Sequence, residues 1–407
     1  METPGSQTSL HRANLERVVR AVRMAGSLTQ AEIARTTGLS AATVSNIVRE
    51  LKEHGTVEVT PTSAGGRRAR SISLSGDAGL VIGIDIGPTR LRVALADLAH
   101  RVLAEESEPL AGDHSAADCL DQAAALVERL IARAGSDPGK VIGAGLGVPG
   151  PVDTASGTLG PTTLRGGWAG TRPGEELGRR LGVPVHVDND ANLGALGELL
   201  RGGGRGVADL VYVTVGTGVG AGLVVGGRLL RGPGGTAGEL GHVVLDPAGP
   251  VCRCGNRGCL ETFAAAPYVL PLLHTSHGPG LTLGDVVRLA REGDPGCRRV
   301  VADTGRHIGT AVAALGTLLN PSRVLLGGDL ADAGDLVLDP LRDSVARYAF
   351  PGAAARLTVA AGTLGPRAGV LGAIALVLGE MGDTGLLNSP FSPSTSLRER
   401  MAPLSSR

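Results

Sequence analysis

Four residues in one short stretch have the types and spacing of a metal site. They are His242, Cys252, Cys254 and Cys259, in the pattern H-x9-C-x-C-x4-C. Three thiolates and one imidazole suit a tetrahedral Zn2+ ion, and four protein ligands leave no open position for water. Such an ion is structural: it pins a loop rather than doing chemistry. Cysteines this closely grouped in a cytosolic chain read as metal ligands rather than disulfide partners. The other two, Cys119 and Cys297, lie far off in sequence and read as buried thiols.

A second set of residues, near the N-terminus, has the chemistry of a DNA reader. A helix-turn-helix lays its second helix in the major groove with the N-terminal residues toward base edges. Here those residues are Ser40, Ala41, Ala42, Thr43, Ser45, Asn46 and Arg49. The small ones allow close approach, an Asn in this position can pair with adenine, and Arg can reach guanine or phosphate. Arg67 and Arg68 sit at the tip of a following hairpin, where they can enter a minor groove or hold phosphates.

The elements that must position these residues are readable from periodicity. Leu15, Val18, Val19 and Val22 recur at helical spacing over 12–25, and Gly26 ends that helix. Thr29 can cap a helix to Arg35, Thr37-Gly38-Leu39 makes a turn, and Ser40 can cap a helix through about Glu53. Two extended segments, 56–60 and 69–74, joined by PTSAGGRR, form a wing. From Leu80 strands and helices alternate, with helical stretches at 115–134, 191–201, 284–292 and 298–319. This pattern argues for a parallel-rich α/β body. A strand–Gly/Thr turn–strand unit occurs twice, as DIGPTRLRVAL and VGTGVGAGLVV, a faint internal repeat.

The bulk numbers agree. The 407 residues allow two or three domains, and 42% hydrophobic residues with only 2% aromatic build cores from Ala, Val, Leu and Ile. The net charge of zero hides a basic head, with ten Lys/Arg against seven Asp/Glu in residues 1–80. No apolar run approaches the ~20 residues of a membrane span. The start, METPGSQTSL, has no signal-peptide pattern, so a soluble cytoplasmic protein is expected.

The stretch GELGHVVLDPAGPVCRCGNRGCLET, with E-x-G-H before C-x-C-G-x2-G-C-x-E, resembles the signature of the ROK family (repressor, open reading frame, kinase). The head similarly resembles the winged helix-turn-helix of ROK-family repressors, of the xylose and N-acetylglucosamine type, and more loosely that of multiple-antibiotic-resistance-type regulators. The resemblance runs from about Arg12 to Glu380. The expected fold class is α/β: an N-terminal winged helix-turn-helix plus a two-lobed, actin-like ATPase/sugar-kinase fold. The expected domains are a flexible leader (1–9), the winged helix-turn-helix (10–76), the sugar-kinase-like body (80–380, with its zinc loop at 242–261) and a disordered tail (381–407).

The family implies a sugar site at Asn189, Asp190, Glu239, His242 and Glu261. Carboxylates and an amide on short loops can match several vicinal hydroxyls at once. One ring nitrogen of His242 can hold zinc while the other meets a hydroxyl. Asn189 and Asp190 also have the position of helix N-caps. Where the family's kinases place an Asn against the sugar, Thr163 stands in PTTLRGGWAG.

The same resemblance makes Asp190 the catalytic base if kinase activity is retained. It assigns Asp85, Gly87 and Thr89, Gly216, Thr217 and Gly218, and Gly327 and Gly328 to the nucleotide loops. The first of these departs from the family: D-x-G-G-T has become Asp85-Ile86-Gly87-Pro88-Thr89, and proline has no N–H and a fixed φ. That argues against ATP/Mg2+ binding. The expected function is a sugar-responsive transcriptional regulator of carbohydrate-metabolism genes, a repressor, binding double-stranded operator DNA as a homodimer or dimer of dimers. The alternative is an ATP-dependent sugar kinase with a fused DNA-binding domain.

Overall fold

The computed structural model describes residues 7–64, 67–76, 79–110, 115–161 and 167–380. Thr163 and the segment 381–407, expected to be a tail, lie outside the described residues.

The head consists of α1 (Gln7–Ala25), β1 (Ser27–Thr29), α2 (Gln30–Thr37), α3 (Ala41–Glu53), β2 (Val57–Ala64) and β3 (Arg67–Leu74). Helix α1 begins at Gln7, inside the stretch expected to be a leader. Thr29 and Glu32 form a reciprocal capping box at the start of α2, and Gly38 closes that helix in the left-handed region (φ 67°). Ser40 caps α3 by accepting from the Thr43 amide at 3.1 Å. The hairpin is antiparallel, with Ala64 opposite Arg67, and its strands run longer than the sequence pattern indicated. Strand β1, three residues long, pairs with β3 and is too short to leave a period in the sequence.

The body opens with β4 (Leu80–Ile86), β5 (Arg90–Asp97), β6 (Val102–Pro109), α4 (Ala116–Arg133), β7 (Val141–Val148), α5 (Pro173–Leu181), β8 (Val185–Asn189) and α6 (Asp190–Arg201). It continues with β9 (Leu210–Val215), β10 (Val219–Val225), β11 (Arg228–Leu229) and three one-turn helices, α7 (Glu261–Ala264), α8 (Ala266–Val269) and α9 (His274–His277). The last part holds α10 (Leu283–Glu292), α11 (Pro295–Leu319), β12 (Arg323–Gly327), α12 (Asp335–Tyr348), α13 (Pro351–Ala354), β13 (Thr358–Ala361) and α14 (Ala368–Glu380).

Two five-stranded sheets result, ordered β6-β5-β4-β7-β8 and β11-β10-β9-β12-β13. In each, two antiparallel pairings are followed by two parallel ones. The faint repeat in the sequence is therefore a duplicated sheet, one per lobe.

Helices α6 and α14 lie against each other between the lobes, α14 on β4 and β7 and α6 on β9 and β10. Glycine makes this possible where backbones nearly touch. A Cβ on Gly145 would stand 2.0 Å from the Ala373 carbonyl, and one on Gly372 would stand 1.8 Å from that of Leu193. Helix α14 is apolar on all sides because it is covered on all sides. Its Val370, Ile374 and Leu378 share one buried cluster with Val18 and Val22 of α1 and with Val81 and Ala94 of the first sheet. Head and body thus have a common core. Among the described residues, no helix is long and apolar enough to cross a membrane.

Candidate functional site

On α3, Val44, Ile47, Val48 and Leu51 are buried, which turns Ala41, Ala42, Ser45, Asn46 and Arg49 outward, with Ser40 exposed at the cap and Thr43 half-buried. Arg49 donates to the Asn46 side chain at 3.1 Å, so the two present a joined polar edge. Arg67 and Arg68 open β3 directly after the hairpin tip; their side chains lie outside the described set.

The expected metal ligands converge. The donor atoms of His242, Cys252, Cys254 and Cys259 all lie within 4.8 Å of one another. His242 Nδ1 is 3.6 Å from Cys252 Sγ, and the sulfurs of Cys254 and Cys259 are 3.7 Å apart. A tetrahedral ion with metal–sulfur bonds of about 2.3 Å sets its sulfurs roughly 3.8 Å apart, whereas a disulfide needs about 2.05 Å. The cluster therefore fits a four-coordinate metal and not a disulfide. Cys119 and Cys297 are fully buried, and burial pushes the first up to about 12 and the second to about 11.

The neighbouring cleft is a cavity of about 730 Å³. Asn189, Asp190, Glu239 and His242 line it together, brought there by the β8–α6 junction and by the loop that enters the metal cluster. Asn189 serves in both expected ways. It caps α6 by accepting from the Ala191 and Asn192 amides (2.9 and 3.3 Å), and its own amide donates to the Gly150 carbonyl at 3.1 Å. Asp190 accepts from the Ala191 amide, and its carboxyl is raised to about 7, mainly by burial and then by the charges of Asp85 and Glu239. Burial also raises Glu239, whose Oε2 stands 3.7 Å from His242 Nε2. One ring nitrogen of His242 thus faces the cysteines and the other the cleft.

Glu261 differs from expectation. Its side chain is 2% exposed, and both carboxylate oxygens accept from Arg253, at 2.6 and 3.0 Å. Arg253 itself lines the cavity, and it is the only arginine or lysine among the described residues that does so. Sequence reasoning passed over it, because nothing in its place between Cys252 and Cys254 foretells its partner Glu261. Also missed was Asp188, buried behind the Asn-Asp pair, which accepts from the Asn189 amide (2.8 Å), Asn192 (2.8 Å) and Arg231 (2.7 Å).

The nucleotide loops are only partly assembled. Gly216, Thr217, Gly218 and Gly328 line the cavity, but the Gly216 amide already donates to the Gly218 carbonyl at 3.0 Å. Gly327 packs against Tyr212, where a Cβ would stand 2.0 Å from the hydroxyl. From the first loop, Pro88 lines the cavity, whereas Gly87 and Thr89 do not. The Gly87 amide is engaged by the Arg90 carbonyl at 2.9 Å. Asp85, the next-to-last residue of β4, is raised to about 6 by burial against the pull of Arg92.

Comparisons with known proteins agree with this geometry. The family model described as ROK family matches residues 81–380, and that of the MarR family matches residues 17–69. The xylose repressor of Caldicellulosiruptor bescii is 32% identical, with 93% of this chain and 98% of that protein covered. A crystal structure of a ROK-family transcriptional regulator, a homologue of the Escherichia coli Mlc protein, superposes with a TM-score of 0.75 at 25% identity, covering 93% of this chain and 98% of that one. The structure of a ROK-family glucokinase from Streptomyces griseus with glucose and AMPPNP gives a TM-score of 0.63 at 32% identity, but covers only 73% of this chain against 99% of the other. The regulators match through the head and the kinase stops short of it: the chain belongs to the ROK family, as a member with a MarR-type DNA-binding domain.

Proposed function

We propose that this protein is a sugar-responsive transcriptional repressor of carbohydrate-metabolism genes. In this reading Asn189, Asp190, Glu239 and His242 bind sugar hydroxyls, and Glu261 acts through Arg253. The head reads operator DNA through α3 and the wing. A homodimer on a palindromic operator is the arrangement that sets two recognition helices one DNA turn apart. Zn2+ held by His242, Cys252, Cys254 and Cys259 supports the cleft structurally: it fixes the ring of His242 and the backbone carrying Arg253.

The observation that carries the reading is the first phosphate loop. The Gly87 amide is engaged by Arg90, and Pro88, which faces the cavity, has none to offer. A phosphate approaching there meets no donor at that position, whereas the sugar-facing groups remain grouped. One observation favours a second reading, a sugar kinase with a fused DNA head: Asp190, raised to about 7, is well matched to act as a general base near neutral pH.

Calorimetry and operator-binding assays with D-xylose, D-glucose and N-acetylglucosamine, run beside an ATP-coupled phosphorylation assay, separate the two. The repressor reading expects one sugar to bind and weaken operator binding, with no turnover. Turnover abolished by Asp190→Ala favours the kinase.

A further inference from the structure

The cleft and the head are joined through one helix and one turn. Helix α6 begins at the Asn189-Asp190 pair and ends at Arg201, a span of about 18 Å. At its far end Arg201 donates from Nη1 to the carbonyl oxygen of His100 at 2.7 Å. His100 lies in the β5–β6 turn, and its ring Nε2 is 2.5 Å from the carbonyl oxygen of Arg23, in the last turn of α1. A carbonyl only accepts, so the ring donates. The body thus places a donor on a carbonyl at the C-terminal end of the head's first helix.

Three further features fix this contact. His100 is a non-glycine residue at φ 63°, a left-handed conformation that Gly, Asn or Asp fills at less cost. The turn is nonetheless held, because the Asp97 side chain accepts from the Ala99 and Arg101 amides, both at 2.9 Å. His100 is 3% exposed, and burial lowers its ring to about 4, which keeps it neutral. Gly26, which follows α1 at φ 74°, seats against the same turn, where a Cβ would stand 3.3 Å from the Ala99 carbonyl.

We infer that Arg201 and His100 are positioning residues through which occupancy of the cleft moves the DNA head. The inference rests on the sugar reading above. A ligand drawn onto Asn189 and Asp190 acts on the first turn of α6. The helix carries the displacement as a rigid body to Arg201, and the chain Arg201–His100–Arg23 passes it to the end of α1. Packing alone would hold the head in place but would not tie its angle to one end of α6; two directional hydrogen bonds do so.

The test uses the full chain with His100→Asn, His100→Gln and Arg201→Met. Asn accepts the left-handed backbone but is too short to reach Arg23, whereas the Gln amide places an N–H at the distance of ring Nε2. The probes are D-xylose, D-glucose and N-acetylglucosamine, with a duplex selected by the wild-type protein from a random library. For the sugar that acts on the wild type, sugar affinity should stay within about twofold in every variant. The ratio of operator affinities without and with sugar, ordinarily ~5–150-fold in such coupling, should fall below about two in His100→Asn and Arg201→Met. His100→Gln should keep most of it. An unchanged ratio in His100→Asn and Arg201→Met, or equal loss in the Asn and Gln variants, overturns the inference. If no probe alters operator binding by the wild type, the sugar reading fails, and the linkage is judged separately by amide hydrogen exchange without ligand. Faster exchange at residues 20–26 in His100→Asn and Arg201→Met, restored by Gln, supports the linkage, and unchanged exchange refutes it.

Discussion

Asp190→Asn separates the cost of keeping a carboxylate in the cleft from everything else the residue does. Folded Asp190 binds its proton up to about 7, against an ordinary 3.8, with burial the first cause and Asp85 the second. Between those values the folded protein holds more protons than the unfolded chain, so stability falls as pH rises. The contribution is fully present below 3.8 and is lost as pH passes 7. Over the whole window it amounts to about 4 kcal/mol, and between pH 5 and pH 8 to about 3 kcal/mol, an upper bound because water entering an open cleft reduces it. Asn mimics the neutral acid at every pH, so the variant should gain on the wild type as pH rises. Buried His100, lowered to about 4, has the opposite sign: its contribution is lost as pH falls from 6.5 toward 4. Asp85, raised to about 6, has the same sign as Asp190. Both remain in the two proteins, so the difference between the melting curves reports Asp190 together with its repulsion by Asp85. Thermal unfolding of each protein should show the difference in Tm (variant minus wild type) growing by roughly 5 °C from pH 5 to pH 8. A difference independent of pH, or one that shrinks, would refute the account of a carboxylate held against its solvation.

Arg253→Ala should destabilise the protein by about 2 kcal/mol, because it leaves the buried Glu261 carboxylate without a counter-charge, with only the Val219 amide still donating to it. Denaturant unfolding should show much of that loss recovered in the double variant with Glu261→Gln, and equal loss in both would absolve the ion pair. Metal analysis should find one zinc per chain. Stripping it with a strong chelator, or Cys254→Ser, should weaken sugar binding at least ~10-fold while a fragment-length operator is still bound, since the cluster supports the cleft and not the head. Replacing Arg67 and Arg68 together by Ala should flatten the salt dependence of operator binding by about two phosphate contacts, read as the slope of log affinity against log salt.

What the sequence disclosed and what it withheld divide along a physical line. Capping residues act locally, so Thr29 and Ser40 announced α2 and α3 before any tertiary contact was known. The grouping of His242, Cys252, Cys254 and Cys259 was legible because metal-binding chemistry restricts both residue type and spacing, and Pro88 because a missing amide is a property of the residue itself. Arg253 and Asp188 were not, since an arginine between two cysteines and an aspartate before an Asn-Asp pair acquire meaning only from the partners that the fold gives them, Glu261 and Arg231. The three-residue strand β1 left no period to detect. Nothing in the neighbourhood of His100 records that the other end of its hydrogen bond is seventy-seven residues earlier.

The same division explains how a regulator can keep a kinase's frame. Closing a cleft between two lobes is useful to a kinase because it excludes water around the transferred phosphate. For a repressor the useful product of closure is displacement alone. That requires a ligand that favours one state, by ~5 kcal/mol for a complete switch, and a rigid connection to the reader. Helix α6 offers both ends of such a connection, with Asn189 capping it in the cleft and Arg201 reaching the turn that holds α1. Glu198, fully buried between them, accepts from the Gly203 and Leu364 amides and so ties the same helix to the second lobe. A helix anchored in the second lobe and bonded to the turn that holds α1 cannot move without loading both.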